Sequence, residues 1–275
     1  MAIITISREM GSGGIPIAHG AAENLGYTLV DGDAIRKAAP KYGLTPEALE
    51  KADEKPPPFV ERLDEQVEVD LHQIELIILE KALRGNVIIY GRGGQDLLRG
   101  IQSVFRVRIV APFEERVERW AEREWLDPEL ARILVRKSDQ QRAGFIKFYF
   151  DRDWQDPLNY DLVINTSRLS EEMAIKLICE GVKDQNLIEQ KGASKAILGD
   201  LVIKKKVEVA LLSTPREEGH HVIVEARNGV VTLSGHVHSE NDRQNLLAAV
   251  HSVPGIDKLE DHLKIVEYRN LPREH

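Results

Sequence analysis

Five short runs of apolar and β-branched residues punctuate the first two-thirds of the chain, at 3–6, 27–30, 86–90, 104–110 and 162–164. The runs are continuous rather than alternating, as expected of strands covered on both faces. Between them lie stretches with helical periodicity, at 15–25, 60–83 and 113–124. Asp127-Pro128 opens a further helix with an N-cap and a proline in its first turn, and Ser170 caps one running from 171 to about 183. Strand–helix alternation of this kind predicts an α/β fold, a parallel five-stranded sheet wrapped by helices.

Two segments break the alternation. Residues 40–59 carry Pro40, Pro46 and Pro56-Pro57-Pro58, which predicts a loop with a short helix near 46–51. Residues 138–160 are polar with embedded aromatics (Phe145, Phe148, Tyr149, Phe150 and Trp154). This stretch is either a surface excursion whose rings pack back on the body or a mobile lid over a bound ligand.

The pattern changes near residue 190. Gln190-Lys191-Gly192-Ala193-Ser194 reads as a linker, so 190–196 separates a unit at 1–189 from a second at 197–268, with a tail at 269–275. The second unit opens with a helix to about 212 and a turn at 215–219. Asn228-Gly229 then joins two apolar runs, 221–226 and 230–237, which is a strong hairpin signal. Ser239 caps a helix to about 253, and 259–266 alternates as a last strand. The order αββαβ predicts a small α+β domain with its own core, and residues 1–190 are expected to fold alone.

Composition narrows the functional classes. Charged residues make up 30% of the 275, and no run approaches a membrane span. The first residues lack a basic stretch followed by an apolar one, so no secretory leader is predicted. The single cysteine, Cys179, cannot pair within the chain and is expected as a small core residue, in keeping with a reducing cytoplasm. A net charge of -8 does not suit a general nucleic-acid binder. Positive charge that matters must be local, and arginines gathered around a phosphate would suffice.

The candidate chemistry starts at the end of the first run, in Ser7-Arg8-Glu9-Met10-Gly11-Ser12-Gly13-Gly14-Ile15. A strand, a glycine-rich turn and a helix N-terminus together make an anion site, with backbone N–H groups and the helix dipole facing the ligand. A complete phosphate loop of this kind ends in Gly-Lys-Ser/Thr. Those positions are Gly13, Gly14 and Ile15, so the phosphate-clamping lysine and the magnesium-ligating hydroxyl are both missing. Arg8 is the basic residue within the loop and is predicted to supply the missing charge.

Residues 1–189 resemble the cytidylate kinase-like branch of the nucleoside monophosphate kinases, whose variant loop also lacks that lysine. Later motifs follow in order. The stretch from Leu29 through Asp31 to Ile35 resembles the start of the monophosphate-binding region, where the family's serine and arginine are replaced by Gly32 and Lys37. Gly91-Arg92-Gly93 resembles the family's Gly-Arg-Asp, with Arg92 kept and the aspartate replaced. Residues 111–119 resemble the approach to the lid, with Arg116 and Arg119 kept. Arg136, Asp139 and Arg142 match the lid arginine and the Asp-x-x-Arg that grips the acceptor, and 160–166 resembles the last strand.

The resemblance implies an ATP-dependent nucleoside monophosphate kinase with CMP or dCMP as acceptor, using ATP and Mg2+. Gly11, Ser12, Gly13 and Gly14 would cradle the donor phosphates. Asp31, Lys37, Arg92, Asp139 and Arg142 would hold the acceptor, and Arg8, Arg116, Arg119 and Arg136 would neutralise the transferring group. Guanidinium groups suit this task because they bind phosphate bidentately and stay charged. A second reading stays open: a nucleotide-binding sensor that does not turn over and signals through its second domain.

That second domain resembles a BON domain, on residues 222–237 with Gly229 and Gly235 and on Val253-Pro254-Gly255-Ile256. The resemblance implies a link to lipid surfaces, to envelope proteins or to small-ligand sensing, with a protein partner or self-association expected here, and it carries no catalytic residues. His220, His221, His236 and His238 invite a metal reading. Only 236 and 238 would share a strand face, which is too few ligands for a closed site, so no metal site is predicted.

Overall fold

The computed structural model describes residues 2–51, 54, 65–214 and 221–266. In chain order the first unit contains β1 (Ile3–Arg8), α1 (Gly14–Leu25), β2 (Thr28–Val30), α2 (Gly32–Ala38), α3 (Pro46–Lys51), α4 (Glu65–Arg84), β3 (Val87–Tyr90), α5 (Gly94–Leu97), β4 (Val104–Val110), α6 (Phe113–Glu124), α7 (Pro128–Phe150), β5 (Leu162–Asn165), α8 (Glu171–Gly181) and α9 (Gln185–Glu189). A short 3-10 turn, Ala39–Tyr42, follows α2. The five strands are all parallel in the order β2-β3-β1-β4-β5. The chain builds β2 and β3 on one side of β1, then crosses to build β4 and β5 on the other. The carboxyl end of β1 therefore lies at the crevice where parallel α/β sheets bind ligands.

The continuous apolar runs are explained by two cores. Ile3, Val30, Val87, Ile89 and Val104 face α4 and the aromatic end of α7. Ile4, Ile6, Ile88, Val107 and Ile109 face α1 and α8. Alternate residues of each strand are thus buried on opposite sides.

Residues 138–150 are regular helix. They are the second half of α7, a continuous helix of 23 residues. Phe145 and Ile146 are buried, and the Trp154 indole N–H donates to Ser7 Oγ at 2.8 Å. Of the two readings, the packed one matches the structure. The polar positions are the outer face of a helix, and the aromatics are its inner face.

The second unit contains α10 (Lys191–Leu212), β6 (His221–Arg227), β7 (Val230–Val237), α11 (Glu240–His251) and β8 (Lys258–Ile265). β6 and β7 are antiparallel, and β7 and β8 are parallel across α11. Asn228 and Gly229 both have positive φ, 50° and 77°, as a two-residue hairpin turn of matching twist requires. The segments at 55–64, 215–220 and 267–275 lie outside the described residues, and with them the Pro56–58 run, His220 and the expected tail. Among the described residues no helix is long and apolar enough to cross a membrane.

The expected linker at 190–196 is corrected by the structure: residues 191–196 are the first turns of α10. Gly192 and Ala193 made this stretch look like a joint, but a tertiary partner overrides weak local propensity. One part of α10 buries Leu198 and Val202 in the same core as Ile74 and Ile77 of α4. A later part buries Val207 and Leu211 against Val224, Val231 and Leu233 of the second sheet. Ion pairs frame the seam, with Lys205 2.7 Å from Glu75 and Lys206 2.9 Å from Glu80. The two units share a helix.

Chain cut after Gln190 would therefore expose the α4 face that Leu198 and Val202 cover. The 1–190 fragment is expected to be less soluble and less stable than the whole chain in urea denaturation. Leu198→Ala should destabilise the full chain by about 2–5 kcal/mol. A fragment as stable as the whole protein would show that α10 contributes nothing to the first core.

Candidate active site

The phosphate loop leaves β1 at Arg8 and enters α1 at Gly14. Gly11 and Gly13 take left-handed backbone, φ 80° and 81°. A Cβ on Gly11 would sit 2.5 Å from the Arg116 carbonyl oxygen, so only glycine lets the loop lie this close to α6. No side chain caps α1, which leaves its first N–H groups directed at the crevice. Ser12 is fully buried, with its hydroxyl 2.8 Å from Glu9 O and 3.2 Å from Ile109 O. Its backbone belongs to the anion cradle; its hydroxyl faces away from it.

Charged groups behind the loop hold its shape. Arg116 donates from Nε to Ala111 O at 2.9 Å and from Nη1 to Met10 O at 2.9 Å and Asp139 Oδ2 at 2.7 Å. The other Asp139 oxygen accepts the Met10 N–H at 3.0 Å. Glu9 lies between Arg116 and Arg108, 3.3 Å from each. Arg108 in turn stacks on Trp154, 4.1 Å from the ring centre. Arg116 and Asp139, expected to meet nucleotide, instead pair with each other and with the Met10 backbone, and line neither cleft described below.

Two clefts open in front. The larger, about 1040 Å3, is lined by the loop from Glu9 to Gly14 and by Arg119, Trp120, Arg123 and Leu169. The smaller, about 410 Å3, is lined by Leu29, Asp31, Gly32, Arg92, Ser138 and Gln141. Both are bordered by Arg8, Ile15, His19, Tyr90 and Arg142.

At that junction the Arg8 guanidinium lies 4.4 Å from the Tyr90 ring centre. Its Nη1 donates to Glu54 Oε1 at 3.1 Å and Oε2 at 2.9 Å. Arg142 Nε donates to Glu54 Oε2 at 3.2 Å, and the Arg92 backbone N–H donates to Oε1. Burial alone would raise the Glu54 carboxyl, but Arg8, Arg142 and Arg92 override it and pull its pKa down to about 2. Burial alone would likewise weaken the Arg8 charge, and Glu54 with Tyr90 pushes its pKa up instead. Burial and then the like charge of Arg8 pull the Arg142 pKa below its ordinary value.

The other expected site residues divide. Arg119 lines the larger cleft and is braced by Thr166, 3.0 Å from both its Oγ1 and its carbonyl, and by Glu115 at 3.1 Å. Asp31 lines the smaller cleft while its Oδ1 caps α2 through the Ala34 N–H at 2.8 Å. Lys37, on the exposed side of α2, borders neither cleft. Arg136 is exposed on α7, 5.3 Å from the Phe113 ring, and also borders neither. Sequence reading missed Glu54, Tyr90, His19 and Arg123. Tyr90 was visible as the end of a buried strand. Glu54 had no signal, lying in an aperiodic, proline-flanked stretch.

A parallel sheet with a glycine-rich loop at the carboxyl end of its central strand defines a P-loop kinase-like fold. The family model for the cytidylate kinase-like family matches residues 3–168, and the BON domain model matches 199–267. The chain belongs to the cytidylate kinase-like family, a group of nucleoside monophosphate kinase-type phosphotransferases, and carries a BON domain behind it. The cytidylate kinase of Natronomonas pharaonis is 36% identical, over 61% of this chain and 82% of that protein. The cytidylate kinase of Methanopyrus kandleri is 31% identical, over 64% of this chain and 90% of that protein. Among solved structures, an uncharacterized protein from Eubacterium ventriosum aligns over 67% of this chain and 100% of its own, with a TM-score of 0.55 and 21% identity. That likeness is one of fold.

Removing the Arg116 guanidinium would leave Asp139 and the Met10 carbonyl without their partner in a buried setting. Arg116→Ala is expected to cost about 3–5 kcal/mol of stability in denaturant unfolding. Loss of nucleotide binding at unchanged stability would instead put Arg116 in contact with the ligand.

Proposed function

We propose that this protein transfers the γ-phosphoryl group of ATP to a nucleoside monophosphate, CMP or dCMP. The observation that carries this reading is the meeting of two clefts at Arg8, Tyr90 and Arg142 on the carboxyl edge of the sheet. One cleft contains an anion cradle and the other an arginine pocket.

The donor phosphates would lie on the N–H groups of Gly11 to Gly14 at the start of α1. The acceptor would lie in the smaller cleft, with its phosphate toward Arg92 and Arg142. An acceptor phosphate oxygen then attacks the γ-phosphorus as the bond to the β-bridging oxygen breaks, giving a nucleoside diphosphate and ADP. Little covalent help is needed; charge stabilisation and alignment do most of the catalysis. Arg8 would take over from the missing lysine, with Arg119 across the larger cleft. Lys37 and Arg136 remain candidates only if the ligand draws their helices inward.

Among the described residues the glycine loop offers magnesium no free hydroxyl. The Ser12 hydroxyl is engaged with carbonyls, Ile15 occupies the usual hydroxyl position, and no cluster of three or more His, Cys, Asp or Glu suited to a metal occurs among the described residues. Mg2+ would then arrive with ATP and help neutralise its phosphates. The BON domain is read as the part that meets a partner or a second copy, because β6 is an edge strand of its sheet.

The test is coupled turnover with ATP and a panel of monophosphates, with calorimetric binding alongside. Turnover should be highest with CMP or dCMP, and Arg8→Ala should lower kcat/KM at least about tenfold, or about 1.4 kcal/mol. Binding without turnover across the panel would establish the second reading, a nucleotide sensor. The Glu54 carboxylate at the cleft junction is the observation that favours that second reading.

A further inference from the structure

Glu54 is bound as a phosphate would be. Its two oxygens receive Arg8 Nη1, Arg142 Nε and the backbone N–H of Arg92. All three donors face the cleft read above as the acceptor site, and Glu54 lines that cleft itself. The packing leaves room for this arrangement only because position 91 is glycine. Gly91 has φ 75°, and a Cβ there would collide with both Arg8 Nη1 and Glu54 Oε1.

The carboxylate fills the arginine pocket incompletely. It brings one negative charge to the Arg8 and Arg142 guanidiniums. Arg142 Nη1 is buried, makes no hydrogen bond and lies 3.9 Å from Asp139 Oδ1. A buried, unmatched guanidinium nitrogen is costly, and hydrogen bonds to charged partners are the strong ones. A monophosphate group carries about -1.5 to -2 charge and three acceptor oxygens. It could engage the same donors as the carboxylate and reach the remaining nitrogen as well.

We propose that Glu54 is an internal anion that occupies the acceptor-phosphate pocket and must be displaced before a monophosphate binds. The inference rests on reading the smaller cleft as the acceptor site, and it adds a control on that site. The empty enzyme keeps Arg8 and Arg142 together despite their mutual repulsion, because the carboxylate sits between them. The acceptor pays for their release by supplying a better-matched anion. Singly charged ligands would compete poorly with a carboxylate already in place, so the device also selects for phosphate over carboxylic acids.

The experiment uses the full chain with inorganic phosphate and with CMP as calorimetric probes, near neutral pH. Glu54→Gln keeps an oxygen to accept from the Arg92 N–H and removes the charge that competes. If Glu54 occupies the pocket about nine-tenths of the time, both probes should bind about tenfold more tightly to the variant. Glu54→Asp withdraws the carboxylate by one methylene and should give a smaller gain in the same direction, a check that holds even if the glutamine variant folds poorly. Unchanged or weaker phosphate binding in both variants would overturn the proposal and make Glu54 a brace for the arginines. Tighter phosphate binding without turnover on any monophosphate would leave the displacement standing and overturn the kinase reading alone.

Discussion

Guanidinium groups crowd the carboxyl edge of the sheet, and the fold around the site depends on giving each of them a partner. Arg8 has Glu54 and the Tyr90 ring; Arg108 has Glu9 and the Trp154 ring; Arg116 has Asp139 and the Met10 carbonyl; Arg119 has Glu115 and Thr166. Two like charges 4 Å apart repel by about 4 kcal/mol at the effective dielectric of a protein surface. Such a cluster cannot persist unless acidic groups are interleaved. The interleaving divides the arginines into two sets. Those behind the loop hold its backbone in an anion-binding shape. Those in front face the clefts.

This division explains how the loop can lack its lysine and still be rigid. The glycines allow the approach, while Asp139 and Arg116 fix Met10 from below, and Thr166 accepts Arg119 while donating to the Ser12 carbonyl at 2.9 Å. Preorganised dipoles of this kind are effective because they need not reorient when charge moves. The loop's stiffness comes from α6, α7 and the end of β5, which is why its sequence alone describes it poorly.

The helix α10 makes a second dependence. It carries apolar residues for two cores on successive turns, so the BON unit is joined to the first unit by packing as well as by chain. Its Lys206 pairs with Glu80, which also accepts the Tyr42 hydroxyl at 2.6 Å, beside the helix that opens at Asp31. Lys206, Glu80 and Tyr42 thus form one run of contacts from α10 across α4 to the turn after α2.

The five strands, their parallel arrangement, most helix boundaries and the αββαβ order of the second unit were legible in the sequence, because each rests on local periodicity, caps and turn residues. The Asn228-Gly229 hairpin and the Ser170 and Ser239 caps are cases where one or two residues fix the backbone by themselves. The course of the glycine loop was legible for the same reason, since a glycine-rich turn between a strand and a helix marks its own backbone. The pairing of Arg116 with Asp139 and Met10, the helical course of 191–196, the Ser7 partner of Trp154 and the presence of Glu54 were not. Each is decided by a partner far away in the chain: Arg116 by Met10, Trp154 by Ser7, Leu198 by α4, and Glu54 by Arg8 and Arg142. A charge's pattern in sequence shows that it must be paired; only the tertiary structure decides with what, because the pairing is a matter of distance.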